Sequence, residues 1–214
     1  MTIKQTIFSN YPDLFSDNQQ SFLGDYRIRF DLGCGLKNGT KKRVKNVVER
    51  ACEIFKQTMS NEILLIIEEY QNEMFDKNGD NKKYLYSLLN DSKLQKFKGP
   101  FEQTYFEIDA NGIREEIVFE DNLECDLLVG KMSQSELRSE KIIEGIANLE
   151  MGFTPCIPQV VIFYCPTSTN ALYIYDDRGC DVYSNNREKL KLIYENLNDW
   201  ILDYDREEFE EMFK

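Results

Sequence analysis

Hydrophobic and polar positions alternate over residues 26–32, which is the pattern of a half-buried β-strand. Residues 41–59 instead place apolar side chains at helical spacing on one face, and residues 62–70 form a continuous apolar run of strand length. Such a run suits a strand that is buried on both faces of a sheet. The first third of the chain therefore predicts a β-α-β unit, with parallel strands joined by a right-handed crossover.

The middle of the chain continues with short elements separated by turn residues. Ala110-Asn111-Gly112 favours a hairpin turn between two strands, and Ser133 with Glu136 has the spacing of a capping box at the start of a helix. The predicted elements are a short helix at 82–90, strands at 101–109, 113–120, 125–131 and 158–165, and a helix at 134–149.

The C-terminal part predicts a hairpin followed by helices. Two strands lie within residues 172–183 around a tight turn, in which Gly179 suits a left-handed backbone conformation. The chain as a whole predicts a single α+β domain over residues 1–214, with a mixed sheet containing β-α-β units. The C-terminal helices are expected at 187–202 and 206–213, with Asn185 and Asp205 as their caps.

Composition narrows the class of protein. Of the 214 residues 42% are hydrophobic, which is enough to bury a core. The absence of histidine excludes catalytic triads with a histidine base and every His-ligated metal. The six cysteines form no CxxC pair, no signal-like apolar segment opens the chain, and no apolar run approaches membrane-spanning length. We therefore expect a soluble cytoplasmic protein with buried free thiols, no metal, no cofactor and no membrane partner.

Charge is strongly negative and unevenly distributed. There are 38 acidic and 26 basic residues, a formal charge of −12, which argues against general binding to nucleic acid. Residues 102–126 hold nine acids against one base, and residues 199–214 hold seven acids against two bases. An acidic surface can steer a basic protein into contact and raise its association rate. This distribution favours an interaction with a basic partner.

The C-terminal region carries a resemblance to a known family. The turn Asp176–Val182 and the segment Asn198–Arg206 (NDWILDYDR), supported by Ile28–Gly33 and Glu49–Phe55, are similar to the bacterial family described as domain of unknown function 3885. Asp31 stands where that family pattern has glutamate. The resemblance implies a shared fold and a soluble bacterial protein, and it brings no established activity, cofactor or catalytic residue.

The same C-terminal region holds the candidate partner-binding residues. Aspartate and glycine suit a tight turn for structural reasons, because an aspartate side chain accepts hydrogen bonds from the backbone two residues further on. The alternatives are recognition of a partner or a carboxylate cluster for a divalent metal. The residues concerned are Asp176, Asp177, Arg178, Asp181, Asp203, Asp205 and Arg206.

An alternative function follows from the segment Asp31-Leu32-Gly33-Cys34-Gly35. It resembles the DLGCGxG loop with which class I methyltransferases bind S-adenosylmethionine, except that Lys37 stands at the third glycine position. In that comparison Gly33 and Gly35 allow the cofactor to approach the backbone, Asp31 belongs to the loop, and Glu68 at the end of the next strand binds the ribose hydroxyls. The structural alternative is a glycine-rich turn between a strand and a helix.

Two further motifs are weaker. Residues 37–43 (KNGTKKR) bring three cations to the first turn of the predicted helix, which fits a solvated basic face or an anion site. Residues 76–81 hold acceptors at alternate positions but lack the glycine and glutamate of a calcium loop, so we expect a plain polar loop.

Together these observations predict a cytoplasmic protein that acts by binding, and that is more readily an inhibitor than an enzyme. Its specific form would be an immunity-like protein whose acidic faces meet a basic toxin. Exposed aromatic side chains would anchor the contact. The candidate anchors are Tyr183, Tyr194, Trp200 and Tyr204.

Overall fold

The computed structural model describes residues 1–15, 23–70, 80–108 and 114–214. Its helices are α1 (Ile3–Asn10), α2 (Lys41–Thr58), α3 (Lys82–Ser87), α4 (Ser139–Met151), α5 (Arg187–Asn196) and α6 (Asp203–Met212). Its strands are β1 (Tyr26–Asp31), β2 (Glu62–Tyr70), β3 (Gln95–Lys98), β4 (Phe101–Ile108), β5 (Arg114–Leu123), β6 (Cys125–Ser133), β7 (Val160–Cys165), β8 (Asn170–Ile174) and β9 (Gly179–Ser184). The predicted α+β class of a single domain is confirmed.

The main sheet is antiparallel rather than mixed. Its seven strands follow the order β1-β9-β8-β7-β2-β6-β3, and every neighbouring pair is antiparallel, while β4 and β5 form a separate two-stranded sheet. β1 and β2 do run in the same direction, as the β-α-β pattern predicted, but three strands lie between them. Those strands belong to the later segments β7, β8 and β9, and the local pattern around α2 carries no information about them.

The sheet has a hydrophobic core on each face. α2, α4 and α5 contribute apolar side chains to one core, and the T-shaped contact between Phe55 and Phe163, with ring centroids 5.2 Å apart, lies within it. The N-terminal segment covers the other face, where Ile7 is fully buried. β2 lies between β6 and β7 and has six consecutive buried residues, so its continuous apolar run is explained by burial on both faces.

Several predicted boundaries differ from the structure. Ser133 does donate from its backbone N–H to Glu136 at 2.8 Å, but α4 begins only at Ser139. The predicted helix at 187–202 is divided into α5 and a 3₁₀ turn at Asn198–Trp200. α5 is capped by Asn186 rather than Asn185, whereas α6 begins at Asp203 without a side-chain cap. The turn at 110–112 and most of the loop at 76–81 lie outside the described residues.

Gly179 begins β9 with a backbone that is not left-handed, contrary to the prediction. The glycine is required for space. A Cβ atom at this position would overlap Tyr175 Oη and lie 2.9 Å from the carbonyl oxygen of Phe30 on the neighbouring strand. Close packing between the turn and β1 therefore explains this glycine.

Candidate functional site

The turn between β8 and β9 is held by its own acidic residues. Asp176 accepts hydrogen bonds from the backbone N–H of Arg178 at 2.7 Å and from its Nε at 2.6 Å. These contacts leave Asp176 5% exposed, while the side chain of Arg178 is 75% exposed. The pKa of Arg178 is raised by its hydrogen bond to Asp176. Arg178 is thus a fixed cation at the surface.

Asp177 has a structural role. It forms a buried ion pair with Arg43 of α2, and Arg43 also donates to the carbonyl of Leu36. A Cβ atom on Gly33 would lie 2.5 Å from Nη2 of Arg43, so the glycine makes room for the guanidinium. One cation of the basic 37–43 segment is therefore internal, and it ties the β8–β9 turn to the start of α2.

Asp181 on β9 binds polar side chains on the face of the sheet opposite to α2. Its Oδ1 accepts from Nε of Arg29 on β1 at 3.2 Å, and its Oδ2 accepts from Tyr183 Oη at 3.2 Å. Nη1 of Arg27 lies 3.9 Å from Oδ2. Burial alone would lower the pKa of Arg29, but its hydrogen bond with Tyr204 and the charge of Asp181 outweigh burial and raise it. Asp181 is 5% exposed, so its role is to position these cations.

The C-terminal segment contains one exposed acid and one internal acid among the predicted residues. Asp203 is fully exposed, whereas Asp205 is 7% exposed and its Oδ2 has no hydrogen-bond partner. Arg206 donates to Asn198 Oδ1 at 2.6 Å and to the carbonyl of Ile201 at 3.1 Å. Arg206 therefore fixes α6 to the preceding 3₁₀ turn.

A surface cavity of about 480 Å³ joins these segments. It brings Arg178 and Asp181 of the turn region next to Tyr204 of α6, two stretches that were predicted separately as partner-binding. Sequence reasoning missed the contributions of Arg29 and Tyr175, although the alternation along β1 could have indicated that its charged residues share one face. The cavity is lined by Arg29, Asp31, Tyr175, Arg178, Asp181, Leu202 and Tyr204.

The outer surface of α6 is acidic and carries one aromatic ring. Tyr204 is 71% exposed, and its hydroxyl group is hydrogen-bonded to Arg29 at the cavity. The single cation of α6, Arg206, is engaged with Asn198 and Ile201. We call this surface the α6 face. It consists of the exposed residues Asp203, Tyr204, Glu207, Glu208, Glu210 and Glu211.

The other candidate anchors are less available than Tyr204. Tyr194 is 8% exposed and packs on Phe213, with ring centroids 4.8 Å apart. The ring of Trp200 lies beneath the guanidinium of Arg50, 4.7 Å from the ring centroid. Tyr183 is partly buried and bonded to Asp181. Of the four predicted anchors, Tyr204 alone is highly exposed.

The residues of the methyltransferase alternative do not converge on one site. The carboxylate of Asp31 accepts from the backbone N–H groups of Gly33 and Cys34, both at 3.0 Å, which makes the glycine loop a closed turn. Glu68 on β2 is four inter-strand steps away from β1, about 19 Å at the usual strand spacing. Burial raises the pKa of Glu68, and Tyr70 donates a hydrogen bond to it. This arrangement lacks the adjacent strands of a dinucleotide-type cofactor site.

Comparison with protein-family models assigns the chain to a family. A family model matches residues 3–205 of the 214. The chain belongs to the family described as domain of unknown function (DUF3885). In this DUF3885 protein the matched residues include every residue that lines the cavity, Tyr204 among them. Glu207 and the residues of α6 after it lie C-terminal to the match. No curated protein and no solved structure matches the chain.

Within the described ranges, no three potential metal-ligating side chains come close enough together to hold an ion. The helices in the same part of the chain are all too short or too polar to cross a membrane.

Proposed function

We propose that this protein binds another protein, and that the partner is basic. The observation that carries the proposal is the exposure of Tyr204 among the carboxylates of the α6 face. Tyrosine is enriched in the energetically important parts of protein interfaces, because a large ring with a polar tip can be buried by a partner. A ring that projects into solvent beside five carboxylates suits a partner surface that carries lysine and arginine.

The cavity next to Tyr204 supports this assignment. Arg29 holds the phenol group, so little conformational freedom of this side chain is lost when a partner covers it. Arg178 lies on the same cavity and remains exposed, and arginine is also enriched in interfaces. The contact would thus have an aromatic centre with charged groups around it.

Electrostatics supports a basic partner rather than an acidic one. The whole chain has a formal charge of −12, and Glu207, Glu208, Glu210 and Glu211 project from one short helix. Long-range attraction accelerates the encounter of oppositely charged proteins and is weakened by salt. In its most specific form, the proposal is an immunity-like inhibitor that covers a basic toxin, such as a nuclease.

The experiment is affinity capture from a lysate of the cells that make the protein, at low salt, followed by a salt gradient and mass spectrometry. Wild-type protein is compared with Glu207→Lys/Glu211→Lys and with Tyr204→Ala. We expect a basic protein that elutes only at raised salt, that is lost with the charge-reversal variant, and that is reduced with Tyr204→Ala.

The matched control is Glu62→Lys/Glu124→Lys, which makes the same change in net charge at two exposed positions outside the α6 face. Retention of the same protein by this control and not by the α6 variant assigns the contact to α6. Equal capture by wild type and both charge variants, or no basic protein captured at all, would contradict the proposal. Inhibition of the captured protein's own activity then tests the immunity-like form.

A further inference from the structure

A second polar site lies where the β7–β8 turn meets the C-terminal end of α2, away from the cavity at Tyr204. Cys165 ends β7, and its Sγ lies 3.0 Å from Ser60 Oγ. Ser168 in the turn also forms a hydrogen bond with this sulfur and donates to the carbonyl of Thr58 at 3.2 Å. The sulfur therefore contacts two hydroxyl groups although it is fully buried in the hydrophobic core.

Asn170 supplies an observation that the protein's own contacts do not explain. The residue is 2% exposed, its Nδ2 is directed at the carbonyl of Thr58, and its Oδ1 has no hydrogen-bond partner. Asn170 is the direct partner of Cys165 in the β7–β8 register, so the two side chains lie on the same face, with Cβ atoms about 5 Å apart. An unsatisfied buried acceptor next to the thiol suits a ligand that donates an O–H or N–H group.

A cavity of about 370 Å³ lies beside this group, although Cys165 itself is fully buried and does not line it. Ser168 and Asn170 form part of its wall, together with Gln57 of α2 and with both polar and apolar residues of α5. Ser168 both lines the cavity and contacts the sulfur, so its side chain separates the thiol from the cavity. A molecule little larger than water, able to both donate and accept hydrogen bonds, would have to pass the Ser168 side chain to reach the sulfur.

Cys165 also differs electrostatically from the other buried cysteines. Burial tends to raise the pKa of its thiol, but hydrogen bonds with the side chains and backbone of Ser168 and Ser60 outweigh burial and leave the pKa lowered. Burial instead raises the pKa of Cys125 to about 12, and it raises that of Cys180 well above its ordinary value. Since the thiolate is the reactive form of cysteine, these neighbours serve as internal references for Cys165.

We propose that Cys165 is a site of oxidation by hydrogen peroxide, formed with Ser60, Ser168 and Asn170. The Cys165 sulfur attacks one oxygen of the peroxide, the O–O bond breaks, and the departing hydroxide takes up the proton released by the thiol to form water. Sulfur is oxidised to a sulfenic acid and the peroxide oxygen is reduced. The new S–O–H group donates its hydrogen bond to Oδ1 of Asn170, which explains that unsatisfied acceptor.

The test treats the native, full-length protein with hydrogen peroxide and traps sulfenic acid with dimedone, and mass spectrometry follows each cysteine separately. We expect Cys165 to be labelled at least about tenfold faster than Cys125 and Cys180, because each unit of pKa changes the thiolate fraction tenfold. Ser60→Ala should slow Cys165 labelling about three- to tenfold at neutral pH, and this difference should disappear at alkaline pH.

Ser135→Ala is the matched control, since it removes an exposed hydroxyl group from a different loop and should leave the Cys165 rate unchanged. Ser168→Ala provides a second test if Ser60→Ala loses the wild-type circular dichroism spectrum. Equal labelling rates for Cys165, Cys125 and Cys180 would overturn the proposal, since they would show reaction only through unfolding. An unchanged Cys165 rate in correctly folded serine variants would overturn it as well.

Discussion

Asp177 and Arg43 are 134 positions apart in the chain, and the burial of both side chains makes their ion pair a structural contact. Removing one partner leaves the other charge buried without compensation, which typically destabilises a protein by about 3–5 kcal/mol. We therefore expect Asp177→Asn to lower the free energy of unfolding by about that amount, measured by urea denaturation. Lys45→Ala, which removes an exposed ion pair with Glu49, should change it by less than about 1 kcal/mol. Similar effects of the two substitutions would refute the structural role of Asp177.

Glu68 predicts a pH dependence of stability. Burial raises the pKa of its carboxyl group, so the folded protein retains this proton at pH values at which the unfolded chain has lost it. Because the folded state then binds more protons, the contribution of Glu68 to stability falls as the pH rises above its ordinary pKa of about 4.5.

We expect Glu68→Gln to gain stability relative to wild type as the pH is raised above 4.5, measured as the free energy of unfolding. Glu62→Gln changes an exposed glutamate of the same strand and serves as the control, with a pH dependence like that of wild type. Parallel pH profiles for wild type and Glu68→Gln would show that Glu68 is ionised in the fold.

At the scale of residues, local roles could be predicted from sequence and distant partners could not. The contact of Asp176 with the backbone of Arg178 follows from turn chemistry over two positions. The partners of Asp177 and Asp181 lie on α2 and β1, and nothing in the spacing of the turn indicates them. Four of the seven predicted partner-binding residues are aspartates whose side chains are buried in the fold: Asp176, Asp177, Asp181 and Asp205.

At the scale of elements, periodic patterns located α2 and β2 almost completely, because each buries one continuous set of apolar side chains. Which strands are neighbours in the sheet was harder to predict. The β1-α2-β2 pattern indicates strand direction, but the strands between β1 and β2 come from residues about 100 positions later. Sheet order depends on these non-local pairings, which a single helix pattern does not encode.

The cap of α5 offers a prediction at this scale. Asn186 accepts a hydrogen bond from the backbone N–H of Lys189 at 2.9 Å. Asn186→Ala leaves this N–H without its side-chain acceptor and should lower the free energy of unfolding by about 1 kcal/mol, as measured by urea denaturation. Asn186→Asp preserves the acceptor and should stay close to wild type. Equal losses in the two variants would show that the cap is not what stabilises the start of α5.

At the scale of the whole molecule, the proposed function depends on which charged and aromatic residues face solvent. The sequence predicted acidic surfaces and four possible aromatic anchors, but exposure distinguishes Tyr204 from Tyr194 and Trp200 only once the helices are packed. The charge pattern places Asp205 at the acidic surface, but its side chain is buried, so the proposed acidic contact involves Glu207 and Glu211 instead. The candidate site therefore needed both the charge pattern and the fold.

The most direct test of the basic-partner proposal is the association rate constant of the captured partner, measured by stopped flow over a range of salt concentrations. We expect Glu207→Lys/Glu211→Lys to slow association about tenfold or more at low salt and to flatten its salt dependence, because steering by the α6 face is lost. Glu62→Lys/Glu124→Lys should keep most of the wild-type rate. Association rates and salt slopes that are the same for wild type and the α6 variant would contradict the account.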